Sequence, residues 1–202
     1  MKRAWHIVWL ITLTAAVAGC NKKATGTVTL PDEGPARMQE ALRLGKEGDA
    51  ARKAGKRDQA IKLYEQSLQY ERLMPVAHSL GALYLERGDK MMAVQMLQDA
   101  ADLEPKEPRS YYNIGLIYLD NGQPDKAHEF FLKALERDPY HVPSLRGAAK
   151  SGKMRLVSDR EALERMKTAL LLEKDPAWRK VFEEEKVRIE GAIQSTGSAG
   201  RF

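Results

Sequence analysis

Apolar and small residues recur through the middle of the chain at i, i+3, i+4, i+7 spacing, which marks a buried stripe along a helix. Tyr111, Ile114, Gly115 and Tyr118 share one such stripe, and Ala127, Phe131 and Ala134 share a second. Between them, Asn121-Gly122-Gln123-Pro124-Asp125 reads as a stop and a restart. Gly122 suits the left-handed position just past a helix end. Pro124 and Asp125 suit a first turn, where a missing N–H costs little and a carboxylate faces the positive helix end. The pattern then returns in register. Gly88, Ala93, Leu97, Ala100 and Pro105 reappear 34 positions later as Gly122, Ala127, Phe131, Ala134 and Pro139. Upstream, Ala77, Leu80, Gly81 and Tyr84 match Tyr111, Ile114, Gly115 and Tyr118. A weaker copy, formed by Gly48, Gly55, Ala60, Tyr64 and Ser67, lies one residue short of a further full period. The pattern therefore predicts an all-α chain of repeated helix pairs.

A period of about 34 residues with this order of small, large, Gly and Pro positions resembles the tetratricopeptide repeat. The likeness covers residues 41–141 and implies helix-turn-helix units stacked into a short right-handed superhelix. Units are expected at 41–73, 74–107 and 108–141, with a degenerate fourth at 142–176, inside a repeat domain spanning 35–176. In the first unit Arg72 stands where proline is expected. In the fourth, Leu145, Ala148, Ala149, Ala162, Ala169 and Asp175-Pro176 keep a stretched version of the pattern, and Gly152 arrives too early to end a first helix. Pro176 opens a last amphipathic segment carrying Trp178, Val181, Phe182, Ile189 and Ile193 on one side. Residues Glu183 to Lys186 are read as its charged outer face. A capping helix over 177–194 is expected, because a terminal repeat has no neighbour to cover it. The Gly/Ser-rich stretch 195–202 reads as a disordered tail.

At the N-terminus, Lys2 and Arg3 precede an apolar run from Ala4 to Ala18 and the tetrapeptide Val17-Ala18-Gly19-Cys20. A basic start, a short apolar stretch and small residues before a cut site describe a secretory signal over residues 1–19. The run falls short of the roughly 20 residues that a spanning helix needs. The tetrapeptide resembles the lipobox of bacterial lipoproteins, and that resemblance implies Cys20 as the lipidated first residue of the mature chain. Its sulfur would be the atom that accepts the diacylglyceryl group. Asn21, in place of the aspartate linked to inner-membrane retention, points to an outer-membrane lipoprotein facing the periplasm. Residues 20–34 then form a flexible linker.

Charge and chemistry narrow the function further. Cys20 is the single cysteine, so no internal disulfide holds the helices together. Losing Lys2 and Arg3 with the signal lowers the net charge from +5 to +3, which is mildly basic. The cations are interleaved with 28 acidic residues, which argues against a nucleic-acid partner. His78, His128 and His141 lie far apart, and no metalloprotease, nucleophile-elbow or clustered aspartate motif occurs. Gly147 to Lys153 imitates a phosphate-binding loop. Met154 follows it where a hydroxyl is required, and no strand precedes it, so the stretch is read as a glycine-rich inter-helix turn. Met91, Met92 and Met96 at helical spacing read as core or groove lining. No enzyme activity, catalytic residue, metal, cofactor or small-molecule substrate is expected.

In the family the first helix of each pair lines the inner groove. Carried onto this chain by register, the candidate partner-binding residues are Lys46, Arg52, His78, Leu85, Arg109, Tyr112, Asn113, Leu116, Arg146 and Lys150. They describe a groove basic at both ends, with an aromatic and apolar centre. Its complement is a peptide or protein segment with apolar anchors and acidic flanks. The chain thus reads as a membrane-anchored interaction scaffold, similar to the lipoproteins that assist type IV pilus and secretin assembly. The alternative is an envelope adaptor for peptidoglycan hydrolases or for outer-membrane protein assembly.

Overall fold

The computed structural model describes residues 34–199, with side chains to 196. Cys20, the signal segment and most of the expected linker lie outside them. The described residues form nine α-helices: α1 (Gly34–Lys53), α2 (Arg57–Tyr70), α3 (Met74–Arg87), α4 (Lys90–Leu103), α5 (Arg109–Asp120), α6 (Pro124–Arg137), α7 (Val142–Met154), α8 (Arg160–Leu172) and α9 (Pro176–Ala199). Each odd helix packs against the even helix that follows it, α5 also meets α7, and α9 closes on α8 and α7.

One contact recurs in the first three pairs. A glycine on the first helix faces a large side chain 16 residues later on the second. A Cβ on Gly48 would lie 2.6 Å from the Tyr64 ring, one on Gly81 would lie 2.9 Å from Leu97, and one on Gly115 would lie 2.7 Å from Phe131. Only a missing side chain lets the backbone come this close. Phe131 is enclosed on both sides, since a Cβ on Gly147 of α7 would also come within 2.5 Å of its ring. The ring is fully buried, and emptying a core site of that size typically costs ~3–5 kcal/mol.

The stop signals are equally regular. Gly55, Gly88 and Gly122 follow α1, α3 and α5 with φ of 73°, 91° and 68°. At each, the next backbone N–H reaches back to the helix: Lys56 N donates to Ala51 O at 2.9 Å, Asp89 N to Tyr84 O at 2.8 Å and Gln123 N to Tyr118 O at 2.9 Å. The fourth pair repeats the device with Val157 N on Gly152 O at 2.9 Å, but the left-handed residue there is Leu156, at φ 56°.

Three expectations are corrected here. Gly147 to Lys153 is not an inter-helix turn but the body of α7, where both glycines are buried. Gly147 is small to admit Phe131, and Gly152 to admit His128, whose ring would lie 3.3 Å from an added Cβ. The helix passes through Gly152, and its stop is set by Leu156, 34 positions after Gly122. The capping helix runs from Pro176 to Ala199, so Ser195 to Ala199, assigned to the disordered tail, are helical. Glu185 is not on the outer face. It is buried, accepts from Arg188 Nε at 3.0 Å and faces Lys153 Nζ at 3.6 Å. Its position three residues after Phe182 and four before Ile189 places it on the packed stripe. At the other end α1 starts at Gly34, seven residues before the first unit was expected, and Arg37 donates to the last carbonyl of α2, Tyr70 O, at 2.8 Å.

Leu156 is 72% exposed, so its side chain gains little from packing while its backbone stays in a region that costs a non-glycine residue about 1–2 kcal/mol. Leu156→Gly is expected to stabilise the protein by roughly 0.5–1 kcal/mol, the strain relieved being offset by glycine's freedom in the unfolded chain. Urea unfolding of the two proteins measures this. A destabilised variant would show that the left-handed turn is not under strain.

Candidate functional site

The ten residues assigned to the groove fall on the odd helices: Lys46 and Arg52 on α1, His78 and Leu85 on α3, Arg109, Tyr112, Asn113 and Leu116 on α5, Arg146 and Lys150 on α7. The structure joins several of them directly. Asn113 of α5 lies with its amide nitrogen 3.1 Å from His78 Nε2 of α3. Burial, aided by the nearby Arg109 guanidinium, lowers the His78 pKa, so the ring is neutral and Nε2 can accept that amide N–H. Tyr112 is half-buried, its ring 5.9 Å from Phe131 and set edge-on to His141 at 5.6 Å. Leu85 on α3 and Leu116 on α5 remain 36% and 39% exposed, which leaves apolar surface on these helices. His141, absent from the sequence-derived set, joins this centre through Tyr112. It precedes α7, outside the helical stripes from which the set was drawn.

Not every cation of the expected basic ends is free of an acidic partner. Arg146 is not a free cation. Its guanidinium donates two hydrogen bonds of 2.7 Å to Glu173 and lies 5.2 Å from the Trp178 ring centre. Glu173 is buried, and it also accepts from Lys174 N and Asp175 N at 2.9 Å each. The Arg146 hydrogen bonds, followed by these backbone donors, hold its pKa at about 2. Arg109 is paired with Glu107 two residues earlier, at 2.8 Å. Sequence spacing could not show the Arg146 pair, because Glu173 lies 27 residues away in a connecting loop. Lys46, Arg52 and Lys150 are exposed and form no salt bridge among the described residues. The cationic character of this face therefore rests on those three.

The 34-residue spacing and the paired helices have close counterparts in known proteins. The Tetratricopeptide repeat family matches at residues 108–141 and again at 48–73. The chain carries tetratricopeptide repeats. As a whole the described residues form an all-α tetratricopeptide superhelix, and the structure of MamA superposes with a TM-score of 0.58 at 23% identity, over 76% of this chain and 84% of that one. The structure of YrrB, described as a TPR protein with an unusual peptide-binding site, gives 0.56 at 19% identity over 72% and 74%. At these identities the likeness concerns the fold alone. Among relatives, the Photosystem I assembly protein Ycf3 of Prochlorococcus marinus is 30% identical over 112 residues, half of this chain and 65% of that protein. Ycf3 of Synechococcus sp. (strain CC9311) is 30% identical over 92 residues, 44% and 53% respectively. The chain thus spans between half and two thirds of the length of these relatives. Among the described residues of the tetratricopeptide array there is no group of three His, Cys, Asp or Glu placed to hold a metal ion.

Glu173 supplies a test of the Arg146 clamp. Its folded pKa lies below the unfolded value of 4.5, so its stabilisation is complete above pH 4.5 and is lost as pH falls toward 2. Glu173→Gln is expected to cost about 1–3 kcal/mol at pH 7, the range for hydrogen bonds to a charged group. That difference from the unsubstituted protein should vanish near pH 2. A difference that stays constant across this range would show that the carboxylate charge plays no part in holding α9.

Proposed function

We propose that this protein is a membrane-tethered assembly scaffold that holds a peptide or protein segment across α1, α3, α5 and α7. The observation that carries the reading is the coexistence on these helices of exposed apolar surface at Leu85 and Leu116, beside half-buried Tyr112, with three cations that form no salt bridge among the described residues. Such cations invite acidic groups from outside. Solvent-exposed pairs contribute only about 0.2–1 kcal/mol each, so the apolar centre supplies most of the affinity and the charges set register and partner choice. The His78–Asn113 contact and the Tyr112–His141 packing hold the centre of the groove in one arrangement, which lowers the ordering cost of binding. The assembly role is favoured by the Ycf3 relatives, whose name describes an assembly protein, and the peptide-binding role by the YrrB description.

Tethering rests on Cys20 and the lipobox-like residues before it, outside the described part of the chain. No described helix is long and apolar enough to cross a membrane. A lipid-anchored scaffold on the periplasmic side of an outer membrane would concentrate its client at the surface where assembly takes place. Type IV pilus and secretin subunits are the first clients in this reading. Cys20→Ser is expected to abolish acyl labelling and to release the protein from the membrane fraction. Labelling that persists in the serine variant would remove the anchor from the proposal.

A photo-reactive residue in place of Tyr112 tests the groove and the client together. Crosslinking in cells to a pilus or secretin subunit is the expected result, and Lys150→Glu should reduce its yield. Crosslinks from the even helices alone, with none from position 112, would overturn the groove.

A further inference from the structure

The even helices carry a second surface. Between α2 and α4 lies an open trough of about 500 Å³, floored by Ala77 and Leu80 of α3 and walled by Leu68, Met92, Met96 and Leu103. Tyr84 lies in the same floor, its hydroxyl donating to Glu65 at 2.5 Å. The repeat register explains why this trough is open. Tyr118 stands 34 positions after Tyr84, and Phe130 stands 34 positions after Met96. In the later unit Phe130 stacks on Tyr118, ring centres 5.3 Å apart and planes 17° from parallel. Lys133 Nζ lies 4.6 Å from the Phe130 ring and Lys126 Nζ 5.2 Å from Tyr118. The chain therefore contains a filled version of this site: an aromatic side chain on a tyrosine floor with lysines beside it. At the earlier position the slimmer, flexible Met96 leaves that volume vacant.

The rim indicates what would fill it. Glu65 and Asp99 are carboxylates among the lining residues, against a single guanidinium, that of Arg72. Arg72 reaches Asp99 at a long 3.4 Å with both side chains largely exposed, a contact too weak to keep a competing cation out. A comparable trough between α6 and α8, of about 490 Å³, is lined by Arg160 and Arg165 beside Glu136, Glu161 and Glu164, so it offers two resident cations where the α2–α4 trough has one, and it contains no methionine. Methionine walls adapt to differently shaped apolar partners, and two even helices flanking a floor offer a groove for a third. We propose that the trough between α2 and α4 docks an amphipathic helix of a partner protein, with an aromatic or leucine anchor beside Met96 and Tyr84 and with lysine or arginine residues set against Glu65 and Asp99. This surface takes a basic partner, whereas the odd-helix groove takes an acidic one.

The test uses the full chain and a fluorescein-labelled, helix-forming peptide of about 16 residues with Phe and Leu on one face and Lys on the flanks, alongside a copy with Glu in place of Lys. Fluorescence anisotropy should show saturable binding of the lysine peptide, with the glutamate copy weaker by about tenfold or more. Met96→Phe should fill the trough as Phe130 fills its own, leave the thermal transition in place and weaken binding by about tenfold. Asp99→Lys, at the exposed rim, should weaken it without touching the apolar walls. The proposal is overturned if neither peptide binds, if both bind alike, or if Met96→Phe and Asp99→Lys leave binding unchanged. It is equally overturned if binding is lost with Tyr112→Ala instead, which would place the peptide in the odd-helix groove. Self-association of the unliganded chain that Met96→Phe abolishes would overturn it too, by making a second copy the occupant.

Discussion

Backbone approach at three glycines, each facing a large side chain 16 residues further on, is the constraint from which the rest of the architecture follows. Gly48 with Tyr64, Gly81 with Leu97 and Gly115 with Phe131 set how closely the two helices of each pair can lie. Removing a Cβ from one helix lets the ring or branched chain of the other reach the backbone, so the pair buries a large apolar group without spreading apart. Each such group contributes about 1.5–3 kcal/mol through burial. Phe131 extends the logic between units, since Gly147 of α7 yields space to the same ring. The buried residues accordingly form two clusters, one centred on Tyr64, Leu80 and Leu97 and one on Phe131, Leu145 and Phe182, with half-buried Tyr118 packed against both. A stack of this kind is stabilised by neighbour-to-neighbour contacts and has no single centre.

Where the repeat runs out, polar groups take over. Past the fourth helix pair, α9 is fixed by charged side chains that satisfy backbone groups. Arg179 donates to Leu170 O at 2.7 Å and to Glu173 O at 3.1 Å, covering carbonyls at the end of α8. Arg188 donates to Val157 O at 2.7 Å while holding the buried Glu185. The Arg146–Glu173 pair fixes the loop before α9, with Trp178 against the guanidinium. Buried ion pairs repay their desolvation only when their remaining hydrogen-bonding capacity is met, and Glu173, with two arginine and two backbone donors, meets that condition. Arg146, which register places in the groove, thus also holds the loop before the cap.

The two faces of the array differ for the same reason that its units differ. On the odd helices Lys46, Arg52 and Lys150 form no salt bridge among the described residues, whereas Arg109 and Arg146 are paired. On the even helices, Met96 stands where the later unit has Phe130 stacked on Tyr118, and Met92, Asp99 and Leu103 stand where that unit has Lys126, Lys133 and Arg137. Departures from a regular pattern let a repeat scaffold present different surfaces without changing its fold.

Periodicity determined the all-α class, the pairing of helices and the stop positions at Gly55, Gly88 and Gly122, while the assignment of groove residues to the odd helices was what the family resemblance implied. These properties are local: they follow from spacing on one helix and from backbone preferences at a turn. Where a property depended on a partner distant in the chain, the sequence was silent. Glu173 pairs with Arg146 across 27 residues, and Lys153 of α7 faces the buried Glu185 of α9. A charged residue carries no local mark of such a partner, since its burial is decided by what another helix brings to it. Tertiary packing decided that Arg146 is paired within the chain, since its acidic partner arrives from a loop 27 residues away.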